Sequence, residues 1–177
     1  MLRNLLEPKT LIIEGVDGMG KSTLGEALSN YFLELPLIIC GPAPKTLDDI
    51  EYWIHRHERS VILGGFILDR VTVFSHYVYK TVLSSTPYEE LLLTSAKRLA
   101  KYNPIVIYCK TDSPKHEIKD YDDPKVIELI MQNVDKLDAG YKNLFATIGI
   151  EPIVYDFKEP NAFAKLTKKI EDLHNER

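Results

Sequence analysis

Nine consecutive residues, Gly15-Val16-Asp17-Gly18-Met19-Gly20-Lys21-Ser22-Thr23, carry the densest chemistry in the chain. They match the phosphate-binding pattern G-x-x-x-x-G-K-[ST] (Walker A). In it the glycines let backbone N–H groups curl around phosphate oxygens, the lysine brings a mobile positive charge to the β- and γ-phosphates, and the hydroxyl can ligate Mg. Asp17, Gly18, Met19, Gly20, Lys21, Ser22 and Thr23 are therefore the candidate ATP-binding residues, with Ser22 as a metal ligand. A helix opening at Lys21 would add its positive dipole end.

A second pair of chemical interest is Asp69-Arg70, directly after the apolar run 66–68. A carboxylate at the tip of a buried strand can serve a metal or its water, and a guanidinium beside it can clamp a phosphate through two parallel hydrogen bonds. Asp69 is thus the second metal candidate, and Lys21, Asp69 and Arg70 are the candidate catalytic residues.

Such a loop works only between a strand and a helix. Residues 10–14 form an apolar run of strand length, and residues 22–32 place Leu24, Leu28, Tyr31 and Phe32 on one helical face. Further along, residues 35–40, 66–68, 103–109 and 153–155 read as short buried strands. The loop Gly41-Pro42-Ala43-Pro44 would lie at the carboxyl edge of the sheet, where open α/β sheets bind ligands.

Between the strands lie helical patterns. Leu47, Ile50, Ile54, His57 and Val61 predict a helix from Thr46, its cap, to about Ser60, with Asp49, Trp53 and Arg56 as a neighbouring stripe. A Trp with an Arg one turn on can stack a base and reach its polar edge; it can equally rim the core. Residues 72–80 predict a helix with Phe74, Tyr77 and Val78 toward the core and Tyr79 and Lys80 toward a cleft. A helix over 87–101 leaves Arg98 either solvated or directed at phosphate. The polar run 110–123, with Lys115, His116 and Lys119, suits a mobile lid. Val126, Ile130, Val134, Leu137, Tyr141, Leu144 and Ile148 predict one long helix, and Phe163, Leu166, Ile170 and Leu173 a terminal one. Five strands alternating with helices, without tight hairpin signals, imply parallel crossovers in a three-layer α/β sandwich with helices on both faces.

Composition narrows the function classes. A chain of 177 residues, 45% hydrophobic and 27% charged, suits one soluble domain over 1–177. The amino terminus, with Glu7 and Pro8, carries no export signal, and no apolar run is long enough to span a membrane. Cys40 and Cys109 read as buried free thiols of a reducing compartment, and zinc is not expected. A net charge of −4 argues against a nucleic acid polymer as partner and leaves small nucleotides.

The residues resemble the P-loop nucleoside monophosphate kinases, and within them the thymidylate kinase-like group that includes small deoxynucleotide kinases of phages. Glu14 to Thr23 resembles the pattern E-G-x-D-G-x-G-K-S-T at every specified position. Asp69-Arg70, Ser75 and Val78-Tyr79-Lys80 are similar to D-R-x-x-x-[IF]-S-x-x-V-Y of the small phage-type enzymes. The resemblance implies a five-stranded parallel sheet of order 2-3-1-4-5 with Asp69 beside the phosphate loop, a cytoplasmic enzyme (host cytoplasm if phage-encoded), and a possible homodimer. It implies ATP- and Mg-dependent phosphorylation of a nucleoside monophosphate, dTMP or another deoxynucleotide foremost. Glu14, Trp53, Arg56, Ser75, Tyr79 and Arg98 are the candidate substrate-binding residues. The chain departs from the group in Lys80, where the family has a base-contacting glutamine. It also has Gly18 and Met19 where one subgroup has an arginine, and lid lysines where the other has arginines; Lys115, Lys119, Arg56 or Arg98 would then supply the missing cation. Two other readings remain: a deoxynucleoside kinase, for which Glu14 is the candidate base, and an ATPase or switch module.

Overall fold

The computed structural model describes residues 9–40, 43–110 and 123–175. Five strands, β1 (Leu11–Glu14), β2 (Leu37–Ile39), β3 (Ile67–Asp69), β4 (Ile105–Cys109) and β5 (Ile153–Tyr155), form one sheet of order β2-β3-β1-β4-β5 in which every pairing is parallel. This is the architecture that the alternation of strands and helices implies. β1, β3 and β4 are buried throughout, as expected of inner strands without polar alternation. The edge strands are not, and Ile39 and Val154 are each 63% exposed.

Alternation along β1 assigns the two layers. Ile13 faces α1 (Lys21–Tyr31), where Gly25 lets that helix close on Ile13 and Leu37. The next residue, Glu14, faces the opposite layer and meets Tyr141 of α6 (Val134–Ile148). Because Ile13 is in register with Asp69 of β3, Asp69 shares the α1 face. The second layer holds α3 (Thr72–Leu83), which packs on both α4 (Glu89–Ala100) and α6 and touches α2 (Leu47–Leu63). α7 (Ala162–Asn175) follows β5 and packs against it.

Several local expectations change. The periodic run expected as one helix breaks at Asn133 into α5 (Pro124–Gln132) and α6. Asn133 leaves the helical region (φ −122°, ψ 19°) and its Nδ2 donates to the Leu129 carbonyl, a local side-chain partner that competes with the helix ladder. The strand expected from Leu35 begins only at Leu37, after Pro36, which has no N–H for the ladder. Cys109 is buried as expected, but Cys40 at the end of the edge strand is only half-buried. Thr46 caps α2, accepting from the Asp49 amide at 3.1 Å while Asp49 accepts from the Thr46 amide at 3.0 Å. Asp49 is therefore engaged in the cap and does not continue the Trp53–Arg56 stripe.

The amino-terminal residues 1–8, Gly41-Pro42 of the edge loop, and 111–122 of the lid, with Lys115 and Lys119, lie outside the described residues. Among the described residues no helix is long and apolar enough to cross a membrane.

Candidate active site

The phosphate loop is shaped by backbone geometry before any side chain contributes. Gly15 takes φ 144°, and a Cβ there would run into the carbonyl oxygen of Cys109 on the neighbouring strand, so the loop leaves β1 pressed against β4. Gly20 (φ 81°) turns the chain into α1, and the Met19 amide closes a turn on the Val16 carbonyl at 3.3 Å. Val16 and Met19 are buried, so their side chains anchor the loop.

Lys21 opens α1 and turns its ammonium back over the loop. Nζ donates to the carbonyls of Gly15 (2.8 Å) and Val16 (2.9 Å) and pairs with Asp17 Oδ1 at 3.2 Å. Burial alone would raise the Asp17 pKa, but the charges of Lys21 and Arg70 overcome it and hold the carboxyl below its ordinary value. Ser22 donates its hydroxyl to Asp69 Oδ2 at 2.9 Å, and Asp69 Oδ1 is buried without a partner among the described residues. Thr23, next along the helix, is exposed.

Arg70 reaches the same loop from the other side. It sits in the left-handed region (φ 64°), rare for a side-chain-bearing residue, and its amide donates to the Ile13 carbonyl at 2.8 Å. Nη1 lies 3.7 Å from Asp17 Oδ1, and Nε is buried without a partner among the described residues. Burial would lower its pKa, yet the charges of Asp17, Asp69 and Glu14 raise it. Asp17 is thus shared by two cations, and the Tyr79 hydroxyl accepts from the Asp17 amide at 3.0 Å.

The remaining expected site residues are placed less uniformly. Glu14 lies wholly inside: the Val71 amide donates to Oε1 at 2.6 Å and the Tyr141 hydroxyl to Oε2 at 3.2 Å, and burial pushes its pKa up from 4.5 to about 8. Ser75 donates to the Val71 carbonyl of its own helix at 3.1 Å. Arg56 stays on α2, donating to the Tyr52 hydroxyl at 2.8 Å with its guanidinium 5.5 Å from the Trp53 ring centre. Trp53 stacks on His57 at 5.3 Å. Arg98 pairs with Glu58 of α2 and not with a residue of the loop.

Three features were not singled out in the sequence. His57 Nδ1 accepts from the Thr72 amide at 3.3 Å and its Nε2 lies 3.7 Å from Cys40 Sγ, joining α2 to the start of α3; burial and then the Arg56 charge lower its pKa to about 4. Asp138 accepts from the Tyr108 hydroxyl at 2.9 Å and pairs with Lys142 at 2.7 Å and Lys110 at 3.3 Å. Phe157, just past β5, has its ring against Gly20. An exposed aromatic two residues beyond a strand at the carboxyl edge was a usable signal; the others depend on contacts between distant segments.

The fold with this loop has solved counterparts. The YorR protein of Bacillus subtilis, in complex with phosphorylated GDP, is similar with a TM-score of 0.66 at 20% identity, covering 96% of this chain and 99% of that one. Thymidylate kinase from Ehrlichia chaffeensis has a TM-score of 0.60 at 13% identity over 94% and 98% of the two chains. Deoxyadenosine kinase from M. mycoides, with products dCMP and dCDP, has a TM-score of 0.56 at 15% identity over 93% and 99%. This chain has the P-loop kinase fold. No protein-family model and no curated protein sequence matches it.

Within that fold the carboxyl edge gathers Lys21, Ser22, Asp17, Asp69, Arg70 and Tyr79 around one loop, through contacts from β1, α1, β3 and α3. The contacts of Arg56, Arg98 and Ser75 given above lie on or between helices α2, α3 and α4.

Proposed function

We propose that the chain transfers the γ-phosphoryl group of ATP to the 5′-phosphate of a nucleoside monophosphate, with dTMP or another deoxynucleotide as acceptor. The observation that carries this reading is Arg70. It is a guanidinium held over the phosphate loop by a left-handed turn, with a buried Nε that no group among the described residues satisfies, beside an ammonium that shares the same carboxylate. Two cations converging on one aspartate suit a pair of phosphate groups better than a single one. Among the similar folds, a thymidylate kinase is named for a nucleotide acceptor and a deoxyadenosine kinase for a nucleoside, so the names support a nucleoside or nucleotide as the acceptor class.

In this reading Lys21 and the loop amides hold the β- and γ-phosphates, and Arg70 holds the acceptor phosphate in line. Phe157 offers an aromatic surface beside the loop for the donor base. An attacking phosphate oxygen is already anionic, so its lone pair forms the new P–O bond without a base. The electron pair of the broken bond leaves on the β-phosphate oxygen of ADP. The protein then has to align the groups, neutralise charge and exclude water. The Ser22 hydroxyl beside an Asp69 oxygen with no partner among the described residues fits Mg²⁺, which prefers few protein oxygens and completes its shell with water and phosphate. When bound it would supply charge neutralisation across the bridging oxygens.

The test is ADP release from ATP and Mg²⁺ against a panel of nucleosides and nucleoside monophosphates. The reading requires release that depends on a monophosphate. Release with nucleosides alone would make the acceptor a hydroxyl, and acceptor-independent release would make the chain an ATPase.

A further inference from the structure

Glu14 is an ionisable residue of the candidate site that the proposed transfer leaves without a task. It is the last residue of β1, 0% exposed, and both of its oxygens are taken. The donor to Oε1 is the amide of Val71, which immediately follows Arg70 and is itself fully buried. The donor to Oε2 is Tyr141 of α6, also fully buried and packed against Tyr108 and Phe145.

This arrangement matters because the turn it grips is an unfavourable one. A non-glycine residue in the left-handed region costs about 1–3 kcal/mol and persists only where its surroundings over-determine it. Two bonds from β1 do so here. The Ile13 carbonyl takes the Arg70 amide at 2.8 Å, and the Glu14 carboxyl takes the Val71 amide at 2.6 Å. Successive groups of β1 thus hold successive amides of the turn, while the guanidinium between them is aimed at Asp17. Without the second bond the buried Val71 amide would be unsatisfied, and the turn could relax toward an ordinary backbone conformation that moves Arg70.

We propose that Glu14 is a positioning residue that locks the Asp69–Arg70–Val71 turn and so fixes where the acceptor phosphate is clamped. Resting on the monophosphate kinase reading, this assigns Glu14 no part in proton transfer. A general base must lie within hydrogen-bond reach of the proton it takes, and this carboxyl is sealed beneath the cleft with both oxygens engaged. Tyr141 extends the lock to α6, so a shift of that helix would reach Arg70 through two hydrogen bonds.

Glutamine at this position keeps the carbonyl that accepts from Val71 and loses the ionisable group, whereas leucine keeps the bulk and loses the acceptor. Steady-state kinetics of Glu14→Gln should give kcat and acceptor KM within about threefold of the unaltered chain, and Glu14→Leu should raise acceptor KM about tenfold or more at unchanged ATP KM. Equal loss of kcat in both variants at unchanged acceptor KM would overturn the proposal and make Glu14 a base. Amide exchange by NMR without substrate gives a reading independent of turnover. Val71 should be protected in the unaltered chain and in Glu14→Gln and should lose protection at least about tenfold in Glu14→Leu, with Ile12 and Ile13 unchanged. Protection retained in Glu14→Leu overturns the lock. If no monophosphate is turned over, the substrate reading fails and Val71 exchange still decides the lock. Should Glu14→Leu not fold, NMR of the unaltered chain should show a scalar coupling across the hydrogen bond from the Val71 amide to the Glu14 carboxyl carbon; its absence overturns the proposal.

Discussion

The proposed donor and acceptor halves of the cleft are built by different means. On the donor side the positions are set by consecutive backbone torsions, and Lys21 needs only the carbonyls of Gly15 and Val16 and the neighbouring Asp17 to hold it. On the acceptor side Arg70 depends on β1 for its turn and on α6 for the residue that grips it, while His57 of α2 fastens the amide of Thr72. One half is encoded by nine contiguous residues, and the other by side chains that meet only after the sheet has formed. A change in the first should therefore strike chemistry directly, and a change in the second should act through geometry.

The largest expected effect lies in the donor half. Lys21→Ala removes the charge proposed to stabilise the transferred group, and turnover should fall by about 10²–10³-fold or more. Because the ammonium and the Gly15 and Val16 carbonyls it binds are buried, the fold of the variant is checked by circular dichroism before turnover is compared. Full activity in a folded Lys21→Ala protein would remove the basis for the donor assignment. Next in size is Arg70→Ala, which should raise acceptor KM about tenfold or more through loss of a charge-assisted clamp, with ATP KM little changed. If ATP KM rises equally, Arg70 serves both halves and the comparison fails.

The same contrast explains what the sequence reveals. The phosphate loop, the cap at Thr46 and the strand–helix alternation follow from local patterns, and the structure repeats them. The sheet order came from resemblance, since no spacing argument places β3 between β2 and β1. Glu14 was legible as a carboxylate but not as a buried one, because its burial comes from Tyr141, separated by 127 positions in the chain. The break at Asn133 escaped the reading because hydrophobic periodicity runs through it, while the cause is one amide side chain bonding back to Leu129. Spacing gave Trp53 and Arg56 a stripe that could meet a base; it left open their contacts within the helix, Trp53 on His57 and Arg56 on Tyr52.

The smallest effect concerns pH, and it sets Glu14 against His57, two of the buried titratable groups of the acceptor half. Burial raises the Glu14 pKa from 4.5 to about 8, so between these values the folded chain keeps a proton that the unfolded chain has released. The stability this gives is fully present below 4.5 and is lost as pH rises through about 8, with a slope of at most ~1.4 kcal/mol per pH unit. His57 behaves oppositely: lowered from 6.5 to about 4, it stays neutral in the fold while the unfolded chain is protonated, so stability is lost as pH falls through that window. His76, also lowered by burial, adds to the same side. Below 6.5 the opposing slopes offset one another, and from 6.5 to 8 the Glu14 slope leads among the described residues. Urea unfolding across that interval should therefore show stability declining with pH, and Glu14→Gln should flatten the decline. A decline that survives in Glu14→Gln would place its origin in another group and would leave the acceptor half held by neutral contacts, as the donor half is held by its backbone.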